Sequence, residues 1–525
     1  MESVFKGRSL NVIEDFSIPE RRYFFRKVAE LKKAIRDNDE KKQDEFRVND
    51  PDFGIYSVFL ENSTRTKDSF KNAAKFHHAK VSELLTSSSS INKGESYADT
   101  FNTVTGYQNT IFIVRSTVEG LTKWLSEETR EYTKRNGLPY TPAFINAGDG
   151  KHEHPTQELL DEFTFLEDND MDFGSVHVAL VGDLYHGRTV HSKADGLKLF
   201  DHVKVDLIAP DELQMPDSYV EKMQENGFEV RFFPSIAEYL KQPDISDKWY
   251  FTRPQLERMG DQILRKADML RDSITFKKEF IDKVPPKTRF YHPLPRHKEH
   301  PTIPTWLDGT ELNGWERQSI NGYYCRIALI GLIAGAFGDD YVPEKTESVE
   351  QEEDYIVQVE PDREKKKTEY SEGIRPIRNG LVIDHICKGE TPAEIRTHMN
   401  LISRVMDLDD SRGGHWVSRG SDGNYKGLIF RPDTRELTRK DLKRLAAVAP
   451  GSTLNIIKDG QVDQKFRAHI PPRIYNFDDL CCNNEACITN PVNAENVPAS
   501  FVRTADGHFA CAYCGRYHTF KEIWK

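Results

Sequence analysis

Three short runs in the first two thirds of the chain carry residue types suited to holding a small phosphorylated anion. Glu61-Asn62-Ser63-Thr64-Arg65-Thr66 directly follows an apolar run and opens a helical period. With Ser63 capping that helix, the segment offers backbone N–H groups, hydroxyls and a guanidinium pointing one way, the parts of a phosphate cradle. His154-Pro155-Thr156-Gln157 lies at a second strand-to-helix junction, after the loop Ala147–Gly150. A histidine fixed there can donate a hydrogen bond to a developing oxyanion. His292-Pro293-Leu294-Pro295-Arg296 follows the strand-like Arg289–Tyr291. Its two prolines set a rigid backbone whose carbonyl groups suit a substrate's N–H. Each run alone is compatible with a plain helix cap or a stiff loop. Occurring in order, each at a strand end, they fit one ligand site at the carboxyl edges of parallel strands.

A different chemistry is concentrated near the C-terminus. Five of the seven cysteines fall between Cys481 and Cys514, and no apolar leader precedes them at the N-terminus. Cys482 and Cys487 have four residues between them, Cys511 and Cys514 have two, and a hairpin-length gap separates the pairs. Two thiolate pairs at such spacings predict a tetrahedral zinc site, with four sulfurs leaving no open position for catalysis. Cys481 competes with Cys482 as first ligand, and His508 and His518 are weaker candidates.

The elements that must position these residues are legible as alternation. Strand-like runs at Ile55–Leu60, Ile111–Arg115, Ala143–Asn146, Val176–Gly182, Val203–Ala209, Glu229–Phe233 and Trp249–Thr252 are interleaved with helical segments. Those segments include Thr156–Glu167, Thr189–Phe200 and Ser218–Asn226, and a long closing helix is expected over Arg317–Phe337. Such alternation predicts two α/β domains with parallel sheets, divided near Thr133–Pro142. The charge-dense stretch from Asp339 to Glu372 reads as a solvated linker. Beyond it, strands at Ile374–His385, Thr453–Ile457 and Phe501–Val502 with helices at Thr391–Asp407 and Thr438–Ala447 predict a small α+β unit before the cysteine-rich tail.

Bulk composition narrows the function classes. At 525 residues, with 37% hydrophobic and 30% charged residues, the chain is a multi-domain globular protein. A net charge of -11 disfavours a broad nucleic-acid or anionic-membrane footprint. The longest apolar run, Ile327 to Phe337, is about half the ~20 residues a membrane span needs, so no membrane segment is expected. A cytoplasmic location follows as the expectation.

With these residues in view, the chain resembles the carbamoyltransferase family. Ser63-Thr64-Arg65-Thr66, His154-Pro155-Thr156-Gln157 and His292-Pro293-Leu294-Pro295-Arg296 are similar to its donor-binding signatures, and the likeness covers nearly all of residues 1–338. Pro293, where the ornithine branch usually has cysteine, favours the aspartate branch, as do the segments Val181–Ser192 and Thr252-Arg253-Pro254-Gln255. The resemblance implies carbamoyl phosphate and L-aspartate as substrates, in pyrimidine synthesis. Ser63, Thr64, Arg65 and Thr66 would hold the phosphate, and Arg115 would bridge phosphate and carbonyl oxygen. His154 and Thr66 would polarise the carbonyl, while Gln157 and the backbone of Leu294 and Pro295 bind the carbamoyl NH₂. Arg188 and Arg253, helped by Gln255, would take the two carboxylates of aspartate. Lys93, with Ser89, would complete the site of a neighbouring subunit, implying a homo-trimer or two bridged trimers. Glu61 and Glu257 would either hold a closed domain arrangement or remain solvated.

Residues from about 374 to 525 resemble the regulatory chain of aspartate carbamoyltransferase, on Asn379–Ile386 and the cysteines. This resemblance favours Cys482 as first ligand, implies one structural zinc per chain and makes the protein a catalytic–regulatory fusion. It also implies a nucleotide effector near Asp384, Lys426, Asn455, Ile457 and Lys465. Phe430 and Gly460 depart from the pattern, at positions where a second lysine and an aromatic residue are usual. The expected domains are 1–135 for carbamoyl phosphate, 136–338 for aspartate, a 339–373 linker, 374–470 for nucleotide and 471–525 for zinc. The fold class is therefore α/β: two parallel-sheet domains, then an α+β domain and a small all-β zinc domain. Three alternatives compete with this reading. They are a transcarbamylase for another amino acid, a nucleotide-responsive scaffold with an inactive catalytic half, and a zinc-ribbon nucleic-acid binder.

Overall fold

The computed structural model describes residues 3–84, 91, 94–107, 109–254, 266–343, 355–361, 377–408, 413–420, 422–432 and 437–525. They fall into two compact units, Met1–Lys345 with Glu485–Val497, and Thr346–Asn484 with Pro498–Lys525.

The first unit contains two all-parallel sheets. β1 (Gly54–Phe59), β2 (Lys80–Leu84), β3 (Ile111–Ser116) and β4 (Ala143–Asp149) form one, in the order β2-β1-β3-β4. β5 (Ser175–Val181), β6 (His202–Ile208), β7 (Glu229–Phe233), β8 (Lys248–Phe251) and β9 (Arg289–Tyr291) form the other, in the order β7-β6-β5-β8-β9. Central strands such as β3 and β8 are buried along their length, which is why they read as continuous apolar runs rather than alternating ones. In each sheet the chain adds strands to one side and then reverses, between β1 and β3 and between β5 and β8. Crevices outside the carboxyl ends of strands at such switch points are where α/β sheets bind ligands.

Two helices tie the sheets together. Pro155–Glu167 begins with proline at its first turn and is buried over most of its length. Trp315–Ala334 packs against it and against the helix Thr64–Phe76, and ends where Gly335 takes a left-handed φ of 79°. An N-terminal helix, Ile18–Arg36, starts from a reciprocal Ser17–Glu20 capping box and places Arg21 against the buried Glu162 at 2.7 Å.

The expected division near Thr133–Pro142, with a boundary at 135/136, is corrected by the sheet order. β4 pairs with β3 in the first sheet, and the chain enters the second sheet only at Ser175. The helix expected over Thr189–Phe200 is broken into Arg188–His191, Lys193–Gly196 and a 3₁₀ turn at Leu197–Leu199.

The second unit carries a six-stranded antiparallel sheet. Its strands are β10 (Ile356–Val359), β11 (Gly380–Ile386), β12 (Gly414–Arg419), β13 (Tyr425–Arg431), β14 (Thr453–Lys458) and β15 (Gln461–Ala468). They lie in the order β10-β15-β14-β11-β13-β12. Ile395, Met399 and Ile402 of the helix Pro392–Val405, with Leu445 and Val448 of Arg439–Val448, cover one face through Leu381, Ile383, Ile429 and Leu454. β10 corrects the reading of 339–373 as linker throughout, because Ile356–Val359 pairs with Lys465–Ala468 as an edge strand. A small antiparallel sheet follows in the order β16-β17-β18-β19: β16 (Arg473–Tyr475), β17 (Ser500–Arg503), β18 (Phe509–Cys511) and β19 (Tyr517–His518). Among the described residues, no helix is long and apolar enough to cross a membrane.

Candidate active site and metal centre

At the carboxyl ends of the two parallel sheets lies a cavity of about 880 Å³. Ser63–Thr66 reach it from the turn after β1, and Arg115 from the end of β3. His154 and Gln157 reach it from the turn after β4, Arg188 from the turn after β5, Arg253 from the end of β8, and His292–Pro295 from the end of β9. Six separate strand ends thus supply one wall system. Lys93, Ser89 and Gln255 lie outside the described residues, as does Glu257.

Ser63 occupies the N-cap position of Thr64–Phe76 with an extended backbone, yet its side chain makes no capping hydrogen bond. The cap expected from sequence is therefore present as position but not as contact. Arg115 is 7% exposed, donates to the carbonyl of Ala147 at 3.0 Å and pairs with Glu61 at 2.8 Å. Glu61 thereby acquires a definite partner. Gly148, at φ 120°, lets the Arg115 guanidinium pass, since a Cβ there would lie 2.7 Å from Arg115 Nη1.

His154 caps the helix Pro155–Glu167 by position and is 6% exposed. Burial, reinforced by the charges of Arg115, Arg188 and Arg326, holds its pKa well below the ordinary histidine value. The ring is consequently a neutral imidazole, able to donate one hydrogen bond without carrying charge. His292 is held to about 3 by burial, with Arg296, Arg65 and Arg253 adding to the effect. Its Nδ1 accepts the Leu294 N–H at 2.8 Å, so its proton sits on Nε2. Leu294 itself takes φ 55° and precedes a cis bond to Pro295. Arg188 donates to the carbonyl of Gly150, next to Lys151 on the cavity wall.

Several cavity residues carry no local signal in the sequence. Arg326 projects from the closing helix, is 4% exposed, and donates to Ser69 Oγ at 3.1 Å. Burial pushes its pKa down to about 10. The one available hint is a cation set directly before the apolar run Ile327–Phe337. Gln318, from the same helix, accepts the His292 N–H at 2.8 Å. Nothing in the spacing of these residues announces that they meet the strand ends.

Near the C-terminus, the Sγ atoms of Cys482, Cys487, Cys511 and Cys514 all lie within 4.8 Å of one another, and all four residues are buried. Cys482 and Cys514 sulfurs are 3.7 Å apart. A tetrahedral metal with ~2.3 Å metal–sulfur bonds needs sulfur separations of about 3.8 Å, so the donor set fits. Cys481 is not in the group; its thiol lies 3.5 Å from the Cys482 carbonyl. His508 pairs with Asp506, and His518 Nε2 approaches Cys482 Sγ at 3.6 Å.

The five effector candidates occupy four adjacent strands of the larger sheet. Asp384 is on β11, Lys426 on β13, Asn455 and Ile457 on β14, and Lys465 on β15. Register sets Lys465 beside Asn455 and Asn455 beside Val382, on the face opposite the two helices. Lys426 Nζ pairs with Asp384 at 3.0 Å. Phe430 shares this face, opposite Val382.

Fold and site together define a two-sheet α/β enzyme for a small phosphorylated donor, joined to a separate sheet domain and a four-thiolate metal module. Comparison with known proteins makes this specific. Sequence profiles match for the aspartate/ornithine carbamoyltransferase carbamoyl-P binding domain over 8–167 and for the Asp/Orn binding domain over 175–333. Those for the aspartate carbamoyltransferase regulatory chain match over 372–469 (allosteric domain) and 472–524 (metal binding domain). A relative from Treponema denticola, named Protein PyrBI, is 64% identical over 100% of this chain and 99% of its own. Its namesake from Thermotoga maritima is 51% identical over 100% of both. Among solved structures, the aspartate transcarbamoylase of Trypanosoma cruzi with N-(phosphonacetyl)-L-aspartic acid aligns at a TM-score of 0.53 and 28% identity, covering 63% of this chain and 97% of that one. The catalytic subunit of M. jannaschii aspartate transcarbamoylase gives 0.52 and 29%, covering 63% and 98%. The chain belongs to the aspartate carbamoyltransferase family, in the form that fuses catalytic and regulatory domains.

Proposed function

We propose that the protein transfers the carbamoyl group of carbamoyl phosphate to L-aspartate, yielding N-carbamoyl-L-aspartate and phosphate for pyrimidine synthesis. The observation that carries this is the convergence of Ser63–Thr66, Arg115, His154, Arg188, Arg253 and His292–Pro295 on one cavity. Ser63, Thr64, Arg65 and Thr66 hold the phosphate, and Arg115 spans phosphate and carbonyl oxygen. His154, neutral and buried, donates to that oxygen together with Thr66. Gln157 and the carbonyl groups of Leu294 and Pro295 receive the carbamoyl N–H bonds. Arg188 and Arg253, with Gln255, fork onto the aspartate carboxylates. The amine then attacks the carbonyl carbon, and the tetrahedral intermediate collapses with loss of phosphate, which takes the amine's proton. Positioning and charge stabilisation supply the catalysis.

In this reading Lys93 and Ser89 complete a neighbouring subunit's site, so the working enzyme is at least a trimer. The four cysteines hold one zinc per chain, which supplies folding energy to the tail and takes no part in the transfer. Thiolates retained as ligands suit a reducing, cytoplasmic setting. A nucleotide binds the open face of the larger sheet and acts by its differential affinity for subunit arrangements. The domain limits that follow are about 1–170 and 171–338 for catalysis, then 355–470 and 471–525 for control.

Phosphate release from carbamoyl phosphate, with aspartate or ornithine as acceptor and ATP or CTP added in parallel, tests the proposal. Turnover with aspartate and not ornithine is expected. A folded, metal-loaded protein that turns over neither acceptor would sink the enzymatic reading.

A further inference from the structure

The helix behind the cavity carries a carboxylate that touches no ligand yet governs several groups that do. Asp161 lies one turn beyond Gln157 and is 0% exposed. Its Oδ1 accepts from Gln157 Nε2 at 2.9 Å and from Gln318 Nε2 at 2.6 Å. Its Oδ2 accepts from Lys193 Nζ at 2.8 Å, and Lys193, itself fully buried, also meets Glu158 at 2.5 Å. With two amide nitrogens and the Lys193 ammonium all donating to it, the Asp161 carboxylate serves as an acceptor on both oxygens. Both glutamine amides must therefore turn their NH₂ toward Asp161 and their carbonyl oxygen elsewhere. For Gln318 that oxygen accepts the His292 N–H at 2.8 Å, which fixes the loop carrying Leu294 and Pro295. Gln157 lines the cavity, and with Nε2 engaged it offers a ligand the acceptor Oε1.

We infer that Asp161 is the positioning residue that makes this site choose a donor bearing an NH₂ on its carbonyl carbon. The inference rests on the carbamoyl-transfer reading and extends it to the origin of donor selectivity. One acceptor-only group orders a side-chain carbonyl and, through Gln318, the loop with two backbone carbonyls. All three present acceptors to the same part of the donor. A carbamoyl NH₂ needs acceptors, whereas the methyl of the isosteric acetyl phosphate gains nothing from them. Lys193, five residues beyond Arg188, holds the charge of Asp161 and links the same hub to the segment that carries an aspartate-binding arginine.

Affinities of carbamoyl phosphate and acetyl phosphate, measured by calorimetric titration of the full-length protein, test the assignment. Asp161→Asn lets both glutamine amides reverse. It is expected to weaken carbamoyl phosphate roughly tenfold or more while moving acetyl phosphate by less than about twofold. Loss of both ligands alike, or of neither, would overturn the inference. If that variant fails to fold, Gln318→Met decides, because it leaves Asp161 with Lys193 and Gln157. It should give the same selective loss at about fivefold, and an unselective loss counts against the inference. Gln157→Ala should cost carbamoyl phosphate less when added to Asp161→Asn than when made alone, since one acts through the other, and equal costs would count against the inference. Failure of the reaction itself looks different: the unmodified protein would then prefer carbamoyl phosphate in binding yet transfer nothing to aspartate.

Discussion

The cavity of the first unit and the open sheet face of the second are both candidate phosphate sites, but they are built differently. In the cavity, Arg65, Arg115, Arg188, Arg253 and Arg326 come together from strand ends and helix turns, and Glu61 is the one carboxylate among the described residues of the wall. On the sheet face, Lys426 is already neutralised by Asp384, Lys465 sits half-exposed beside Asn455, and Val382 and Phe430 add apolar surface. A small anion with two or more charges is best held by several cations that converge on it, and the buried Arg115 and Arg326 are the least screened of these. A nucleotide can instead be held by a broader surface on which base and sugar share the contacts with a few charges. The first site declares its ligand through electrostatics; the second does not.

A sharper contrast lies in what holds each unit together. The core of the first unit is a continuous set of buried apolar side chains running through both parallel sheets. The last sheet of the second unit, β16–β19, has strands of two to four residues and must rely on a staple. The largest expected effect follows from that. Chelation, or Cys514→Ser, should cost the tail most of the roughly 10 kcal/mol that a structural zinc supplies. Hydrogen exchange would show it as lost protection in β17 and β18 with protection kept in β1, β3 and β5. Metal content, expected at one zinc per chain before chelation, should fall in parallel. Persistent protection of β17 without metal would mean the four thiols are not a folding site.

Next in size is the loss of one cavity cation. Arg65→Met should lower kcat about 10²- to 10³-fold, about 3 kcal/mol of transition-state stabilisation. Its thermal stability should hardly change, because Arg65 sits at the first turn of Thr64–Phe76 and not in the core. A loss below about tenfold would show that the charge is spread over the remaining arginines and would weaken the contrast with the sheet face.

How far this contrast could be read from sequence differs by region, and the reason is physical. The three donor runs were legible because each is contiguous and sits at one strand end, so chemistry and position share a few adjacent residues. The four zinc candidates were legible for the same reason, and the structure groups Cys482 rather than Cys481 with the others. Arg326 and Gln318 were not, because the closing helix brings them to the cavity from far along the chain, and Asp161 was not, because it stands behind the cavity at ordinary helical spacing from Gln157. Strand and helix alternation also does not say which sheet a strand joins. β4 was therefore assigned to the second domain, although it pairs with β3. β12, β13 and β15 went unread, being half-exposed strands whose polar residues mask the alternation. β10 was hidden in a charged stretch and is a strand only because β15 offers it an edge.

On the sheet face the expected effects are smaller. Lys465→Ala should weaken ATP or CTP binding about fivefold, about 1 kcal/mol, because a half-exposed lysine is partly screened by water. Calorimetric titration of the intact protein would measure it. A hundredfold loss would show that the face closes into an enclosed anion site after all, and would erase the difference drawn above. No change would remove Lys465 from the nucleotide's contacts.

The smallest expected effect is none, and it concerns pH. His154 has its pKa well below the usual histidine value, chiefly through burial and then through the charges of Arg115, Arg188 and Arg326. As pH falls from 8 to 6, an ordinary imidazole with a pKa of ~6.5 becomes mostly charged, whereas this one stays neutral throughout. His154→Gln should lower kcat roughly tenfold to a hundredfold by removing the hydrogen bond proposed to the carbonyl oxygen. The ratio of the two kcat values should then be the same at pH 6, 7 and 8, since other titrations cancel between the two proteins. A ratio that drifts more than about threefold over this range would mean that His154 takes up a proton there. It would then act as a charged group among arginines that already repel it, and the claim that convergent cations set the chemistry of this cavity would fail.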